Sequence, residues 1–575
     1  MIKLLKYMKG YGKECILGPL FKLIEASLEL TVPLVIAAII DNGISAGDNG
    51  YVVRMCLLLV LLGAVGLGFS VTAQYFSAKA AVGFVSRVRY ALFSHLGTLS
   101  YTEIDTLGTS TMITRITADT NQVQTGVNIS LRLLLRSPFV VFGAMIMAFT
   151  IDVSSALTFV AVIPALSIVV YGIMLVSMPL YKKTQSRVDG VMSKTRENLS
   201  GVRVVRAFCR ENEEIRDFDV RNGELAHSQK VVGAISALTN PMTYVLINLA
   251  ILWLINVGAI RVNEGIISQG MVIALYNYMS QILVELIKLA NMIITISKSL
   301  ASAARIQSVL EIESSINGGS VTEKGDTGTA VEFDSVTLRY KSSGAPSIEG
   351  ISFKAGKAET VGIIGGTGSG KSSLINLIPR FYDATDGEVR IFGKPIKEYD
   401  TGALRDMIGV VPQRAVLFRG SVRDNMKWGK PDATDAEIWA ALEIAQAADV
   451  VREKGGLDFM IEQGGRNLSG GQKQRLTIAR ALVKDPDVLI LDDSASALDF
   501  ATDANLRMAI KNMSGERAVF IVSQRASSIM YADRIIVLDE GEAVGIGTHA
   551  ELLESCPVYR EIYYSQFEEG GAHNG

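Results

Sequence analysis

Cysteine is scarce in this chain: Cys15, Cys56, Cys209 and Cys556 are scattered without ligand spacing, which argues against a disulfide framework or a zinc site. Net charge is equally scarce, because 56 Lys and Arg against 58 Asp and Glu leave only −2. Such a balance gives no reason to expect nucleic acid or another charged polymer as a partner. No small-residue cleavage site follows the first apolar stretch, so the basic, amphipathic start MIKLLKYMKGYGK reads as a short interfacial helix and not as a removed signal peptide. What the chain has in excess is apolar content, 49% of residues with 20% charged, a mixture that fits a protein part membrane and part soluble. Its 575 residues exceed one hydrophobic core, so two or more domains are expected.

Six apolar stretches, about 16–40, 54–78, 133–151, 156–178, 235–260 and 271–296, are each near the ~20 residues that cross a hydrocarbon core. Short links follow the first, third and fifth. Longer segments follow the second and fourth, and this alternation puts both long segments on one side. Lys3, Lys6, Lys9 and Lys13 at the start, and Lys182, Lys183, Arg187, Lys194, Arg196, Arg203, Arg206 and Arg210 in the second long segment, mark that side as cytosolic. Neither long segment is rich in Pro or Gly, and helical periodicity through them predicts arms projecting roughly 35 Å, at 1.5 Å per residue, into the cytosol. Charged groups also sit inside the spans: Glu25 and Glu29 on one face of the first, Arg132 and Arg136 at the start of the third, Glu285 and Lys288 in the sixth. They suit either the polar wall of a substrate cavity or ion pairs that lock helices together.

From about Val331 short strands alternate with helices and glycine turns, the pattern of an α/β domain. The boundaries this predicts are a membrane domain at 1–312, a linker at 313–330 and a nucleotide-binding domain at 331–575. Gly365, Gly366, Thr367, Gly368, Ser369, Gly370, Lys371 and Ser372 match G-x-x-x-x-G-K-[ST] between the strand TVGII and the helix SSLINLI. Glycines there let backbone N–H groups wrap phosphates, Lys371 neutralises the terminal ones, and Ser372 can bind Mg²⁺. Farther on, VLILDD sets Asp492 and Asp493 at the end of an apolar strand, where a carboxylate can hold the water shell of Mg²⁺.

Leu468, Ser469, Gly470, Gly471 and Gln472, followed by KQRLTIARAL, resemble the signature motif of ATP-binding-cassette proteins. Together with six preceding spans, the whole chain resembles a half-transporter of the type IV ABC exporters. That resemblance implies a multi-domain membrane protein: an all-α six-helix transmembrane domain with long cytosolic extensions, fused to an α/β P-loop cassette that uses ATP and Mg²⁺. It implies roles for Tyr340 as the aromatic that stacks on adenine, for Ser373 beside the phosphate loop, for Gln413 as the loop glutamine that senses Mg²⁺, and for Ser496-Ala497-Leu498-Asp499 as the dimer-contacting loop. TLGTSTMITRITADT and ENLSGVRVVRAFCREN resemble the family's two coupling regions. The family further implies a lipid bilayer, a small amphipathic substrate and a second half-transporter as partners, and places the chain in a plasma membrane, here a bacterial inner membrane, with both termini cytosolic.

At two positions the sequence departs from the family. The second acid of the strand is Glu in hydrolytic members and Asp493 here, and the switch histidine is replaced by Gln524. A carboxylate set back by one bond, with misplacement near 1 Å costing roughly 100-fold, and an amide without imidazole's charge imply a site that binds ATP and cuts it poorly. In this family each ATP lies between one chain's phosphate loop and the other chain's signature. The intact signature here therefore serves a partner's site, and a heterodimer is the economical reading. A slow homodimer and an ATP-gated channel or regulator are the alternatives.

Overall fold

Apolar runs in a bilayer leave backbone N–H and C=O groups only one another as partners, and a helix satisfies them all within the segment. In the computed structural model, which describes residues 2–341, 344–494, 496, 498–513 and 516–567, six helical segments are long and apolar enough to cross a membrane. They are Gly12–Ile44, Asn49–Leu96, Thr109–Ile151, Val153–Ser200, Glu211–Asn263 and Gln269–Leu310. Each outruns its apolar stretch, because the polar ends keep helical geometry beyond the apolar middle. Caps set several starts: the Asp48 carboxylate accepts from the Tyr51 N–H at 2.9 Å and the Asp152 carboxylate from the Ser155 N–H at 2.8 Å. Ahead of the first segment, Ile2–Met8 forms a 3₁₀ helix.

The chain divides into two compact units, Met1–Gly97 with Thr109–Ile312, and Thr98–Gly108 with Glu313–Gly575. In the first, the charged residues of the spans meet. Arg136 on the third span reaches Glu285 on the sixth at 2.6 Å and Glu29 on the first, also at 2.6 Å. The other Glu285 oxygen accepts from the Ser137 hydroxyl at 2.8 Å, and Lys288 joins Glu285 at 2.8 Å. Glu25 pairs with Lys22, whose ammonium also donates to the Ser70 hydroxyl at 3.0 Å on the second span. The Arg132 Nε is buried and has no hydrogen-bond partner among the described residues. Around these charges an apolar core of Ala26, Leu30, Val140, Phe159, Leu254, Tyr278 and Ile282 packs the spans together.

In the second unit the sheet order runs Glu542–Gly547, Arg534–Asp539, Thr360–Gly365, Ala518–Val522, Val488–Asp492, Ile408–Val411. All neighbours are parallel except the first pair. Near-continuous Val, Ile and Leu in these strands suit burial on both faces. The register sets Val522 beside Ile363 on one side and beside Asp492 on the other, so the strand that leads into the phosphate loop, the one bearing the acids and the one leading to Gln524 end together. An antiparallel sheet, Ile348–Gly356, Thr329–Leu338, Asp386–Ile391 and Lys394–Pro395, completes the unit.

A short helix, Tyr101–Leu107, belongs to this second unit although the first coupling-region resemblance begins only at Thr106. Aromatic contact is the reason. The Tyr101 ring lies 4.6 Å from that of Phe381, and the Tyr382 hydroxyl donates to the Asp105 carboxylate at 2.6 Å. Tyr382 in turn meets the edge of Tyr340 at 5.0 Å.

A buried ion stripped of its counter-charge costs about 3–5 kcal/mol, so Arg136→Ala and Glu285→Ala should each lower the melting temperature of the purified full-length chain clearly. Glu29, with its side chain 41% exposed, should matter much less when changed to Ala. Equal thermal shifts for all three variants would contradict this ranking.

Candidate functional site

The carboxyl ends of parallel strands at a change of connection are where α/β sheets bind ligands. Here the three strand ends surround a cavity of about 440 Å³ whose walls include Thr367, Gly368, Gly370, Lys371, Ser372, Ser373, Gln413, Asp492, Asp493 and Gln524. Gly370 stands at φ +93°, and a Cβ there would sit 2.5 Å from the Ser347 carbonyl oxygen, so only glycine lets the loop turn into the helix Lys371–Leu377. A Cβ on Gly365 would collide with the Leu538 carbonyl of the neighbouring strand. The loop is thus shaped by close backbone approach on both sides.

Lys371 folds over this loop, donating to the carbonyls of Gly365 at 2.9 Å and Gly366 at 2.6 Å, and sits 3.4 Å from the Ser369 hydroxyl. Burial pulls its ammonium below the usual lysine range, against the opposing pull of Asp493 and Asp492. Burial likewise pushes both aspartates up, which a hydrogen bond from Ser372 offsets at Asp492 and one from Gln413 offsets at Asp493. The Ser372 hydroxyl lies 3.3 Å from Asp492 Oδ2, and the Gln413 amide nitrogen 3.5 Å from Asp493 Oδ2. Each charge here carries a desolvation cost that a charged ligand of matching geometry would relieve.

For a divalent cation the donors are hard oxygens: the Ser372 hydroxyl, the Asp492 carboxylate and the Gln413 amide, the chemistry that Mg²⁺ takes together with water and phosphate. Among the described residues no cluster of three or more His, Cys, Asp or Glu side chains is placed to hold a metal. A sparse protein shell of this kind fits Mg²⁺ that arrives with a nucleotide. Once bound, it would neutralise charge between phosphate oxygens.

Asp493 adopts a left-handed backbone, φ 43°, pinned by its N–H donating to the Val522 carbonyl at 2.9 Å. Asp tolerates that region better than most side chains do. Tyr340 lies outside the cavity lining, but its hydroxyl donates to that of Ser373, on the cavity wall, at 3.1 Å. The segment Leu468–Gln472 is likewise absent from the lining. Ser469 instead caps the helix Gly470–Val483, accepting from the Gln472 N–H at 3.3 Å while the Gln472 side chain accepts from the Ser469 N–H at 3.0 Å. Ser469 and Gly470 are exposed, which leaves that helix start open on its outer side. Of the loop after the acids, Ala497 lies outside the described residues, Ser496 turns back to bond the Asp493 carbonyl at 2.8 Å, and Asp499 caps the helix Phe500–Lys511.

Several residues of the site carried no sequence signal. Pro346, Ser347, Glu540 and Gly541 line the cavity from two loops with no phosphate motif. Tyr382 and Asp105 meet across 277 positions of chain, a separation that no local pattern records.

Comparison with known proteins accounts for both units. Residues 15–286 match the family described as the ABC transporter transmembrane region, and residues 348–496 the family described as ABC transporter. The chain is 37% identical over 571 residues to the uncharacterized ABC transporter ATP-binding protein Rv1273c of Mycobacterium tuberculosis, covering 98% of this chain and 97% of that one. It is 33% identical to YfiB of Bacillus subtilis, another uncharacterized ABC transporter ATP-binding protein, over the full length of both. With the ATP-dependent lipid A-core flippase of Hahella chejuensis it shares 31% identity over 99% of this chain and 97% of that one. In fold it is similar to a bacterial Atm1-family ABC exporter with ATP bound, at TM-score 0.80 and 23% identity over 97% of this chain and 99% of that one. Six membrane-crossing helices, a phosphate loop at the ends of a parallel sheet and full-length relatives together make this chain a member of the ABC transporter family, with transmembrane and ATP-binding domains fused in one polypeptide.

Proposed function

We propose that the chain is one half of an ATP-driven exporter of an amphipathic, lipid-like substrate, and that it brings to a heterodimer an ATP site that binds nucleotide and cuts it slowly. The observation that carries this reading is the cavity wall: Asp493 and Gln524 stand on it together with an intact phosphate loop, where a Glu and a His would serve hydrolysis. Lys371, Ser372 and Asp492 are the groups that bind phosphate and Mg²⁺; Tyr340 is assigned to adenine and Gln413 to the cation. Loss of reach at Asp493 and of imidazole at Gln524 affects the water-activating step and leaves binding intact. Ser469, Gly471 and Gln472, at an open helix start outside this cavity, are assigned to the partner's site, where backbone N–H groups favour phosphate. Lysine and arginine at the start of the chain and in the second long segment support the assignment of both termini and the cassette to the cytosolic side of a plasma membrane, the inner membrane in a bacterium. The name of the Hahella relative points to a lipid substrate for that protein, and supports an amphipathic cargo here. Glu25, Glu29, Arg132, Arg136 and Glu285 are assigned first to locking the spans together and only second to the cargo path, since all but Arg132 are engaged in ion pairs.

One observation favours the homodimer instead. Burial raises the Asp493 carboxyl above the ordinary range, which moves it toward the strength of a weak general base.

The two readings part on expected outcomes. The chain purified alone should bind ATP with Mg²⁺ and turn it over slowly, and the paired change Asp493→Glu with Gln524→His should raise that rate by on the order of 100-fold. Rapid turnover by the unmodified chain, abolished by Asp493→Asn, would establish the homodimer. Co-purified with a second half-transporter, the complex should keep its ATPase activity when Asp493 becomes Ala and lose most of it when Ser469 becomes Ala, because the two residues then belong to different sites. Lys371→Ala should abolish nucleotide photolabelling of this chain.

A further inference from the structure

We infer that Gln566, just past the last described helix, is a positioning residue for the loop that carries Gln524, so that the chain's C-terminal helix helps set how this site holds a terminal phosphate. The inference rests on the reading that Gln524 faces that phosphate. The two ends of one carboxamide grip the loop: the Gln566 Nε2 donates to the Gln524 carbonyl at 2.7 Å, and its Oε1 accepts from the Ala526 N–H at 2.8 Å. Only one orientation of the amide satisfies both, because a carbonyl needs a donor and an N–H needs an acceptor. The bonded groups flank Arg525 on either side, so the clamp fixes the backbone where the Gln524 side chain departs for the cavity wall.

The clamp has a firm base. The helix Pro557–Tyr564 is tied down by Tyr559, which is fully buried against Ile364, Ala526, Ile535 and Val537, and its hydroxyl lies 2.8 Å from the His549 Nδ1. Ile364 directly precedes the phosphate loop and Ala526 is itself a clamped residue, so the same apolar cluster backs both. From the other side, the Arg525 N–H donates to the Ser523 hydroxyl at 2.9 Å, and the Arg525 guanidinium reaches the Ser496 carbonyl at 3.4 Å over the Phe500 ring. The loop is therefore held between the C-terminal helix and the turn that follows the acids. Freed from Gln566, its backbone loses the bonds at the Gln524 carbonyl and the Ala526 N–H and keeps the Arg525 hold and the burial of Ala526, so that Gln524, the residue between Ser523 and Arg525, samples positions away from the phosphate.

A contact to the terminal phosphate separates ATP from ADP, and so the ratio of their affinities is the readout. With the full-length chain in lipid nanodiscs and fluorescent ATP and ADP analogues as probes, Gln566→Ala should lower the preference for ATP about threefold or more, the worth of one modest hydrogen bond, and leave ADP affinity in place. Gln566→Glu keeps the acceptor for Ala526 and removes the donor to the Gln524 carbonyl. It should show the same loss with an unchanged melting temperature, which covers the case that the alanine variant folds badly. In a Gln524→Ala background neither change should have a further effect on the ratio. If Gln524→Ala alone lowers the preference and both Gln566 variants leave it at the wild-type value, the clamp does not position the loop and the inference falls while the reading of Gln524 stands. If Gln524→Ala itself changes nothing, both are wrong. Parallel loss of ATP and ADP binding, or unfolding of both Gln566 variants, would reduce Gln566 to a structural strut and equally overturn the inference.

Discussion

One ammonium and two carboxylates, brought out of water at the ends of buried parallel strands, are the constraint around which the ATP-binding unit is built. Lys371 is pulled down in pKa and Asp492 and Asp493 are pushed up, all for the same reason, that burial disfavours charge. Such a site carries an electrostatic cost, offset in part by Ser372, Gln413 and the opposite charges, that a polyanion and a cation entering together would relieve further. The sheet register is what imposes the arrangement, since Asp492 beside Val522 and Val522 beside Ile363 leave the three loops no choice but to converge. Gly365 and Gly370 serve the same end: with the Leu538 and Ser347 carbonyls so close, a side chain at either would push the phosphate cradle off the sheet.

The membrane unit treats its charges in the opposite way. Glu285 and Arg136 are buried, more so than Lys371, Asp492 and Asp493, yet each already has its counter-charge, and Ser137 and Lys288 also bond Glu285. Charges paired within the unit hold helices in register, although the Arg136 Nε has no hydrogen-bond partner among the described residues; charges left open to a ligand make a binding site. The difference between the two units thus lies in where the partner comes from, and not in how much charge is buried.

What the sequence made legible follows from how local each feature is. The phosphate loop, the acid pair and the capped signature helix are contiguous words because their work is done by backbone and by neighbours three or four residues apart, as in the reciprocal bonds of Ser469 and Gln472. Hydropathy located six spans for the same reason, but it marked only their apolar middles; the helices run on because helical bonding continues once the chain leaves the apolar layer. The interactions that were not legible are those closed by tertiary folding. Glu29, Arg136 and Glu285 come from three spans, Tyr382 and Asp105 from the two separate stretches of the second unit, and Gln566 meets Gln524 across 42 positions. The helix Tyr101–Leu107 joins the second unit through Tyr101 against Phe381, a contact no motif encodes.

The separation of Leu468–Gln472 from the cavity bears on how two substitutions can persist together on the proposed reading. Asp493 and Gln524 line the same cavity as this chain's own phosphate loop, so on that reading they would act only on the nucleotide held there. Asp493 occupies a left-handed backbone position that a short acid tolerates, and its N–H is already committed to Val522, so shortening the side chain disturbs neither the strand end nor the turn behind it. Gln524 is likewise held through its carbonyl by Gln566, which leaves its side chain free to differ without unravelling the loop. On that reading, chemistry at these two positions can decay while the phosphate-loop scaffold and the capped helix start at Ser469 remain intact. An active site whose catalytic groups hang from an independently fixed backbone loses turnover before it loses structure.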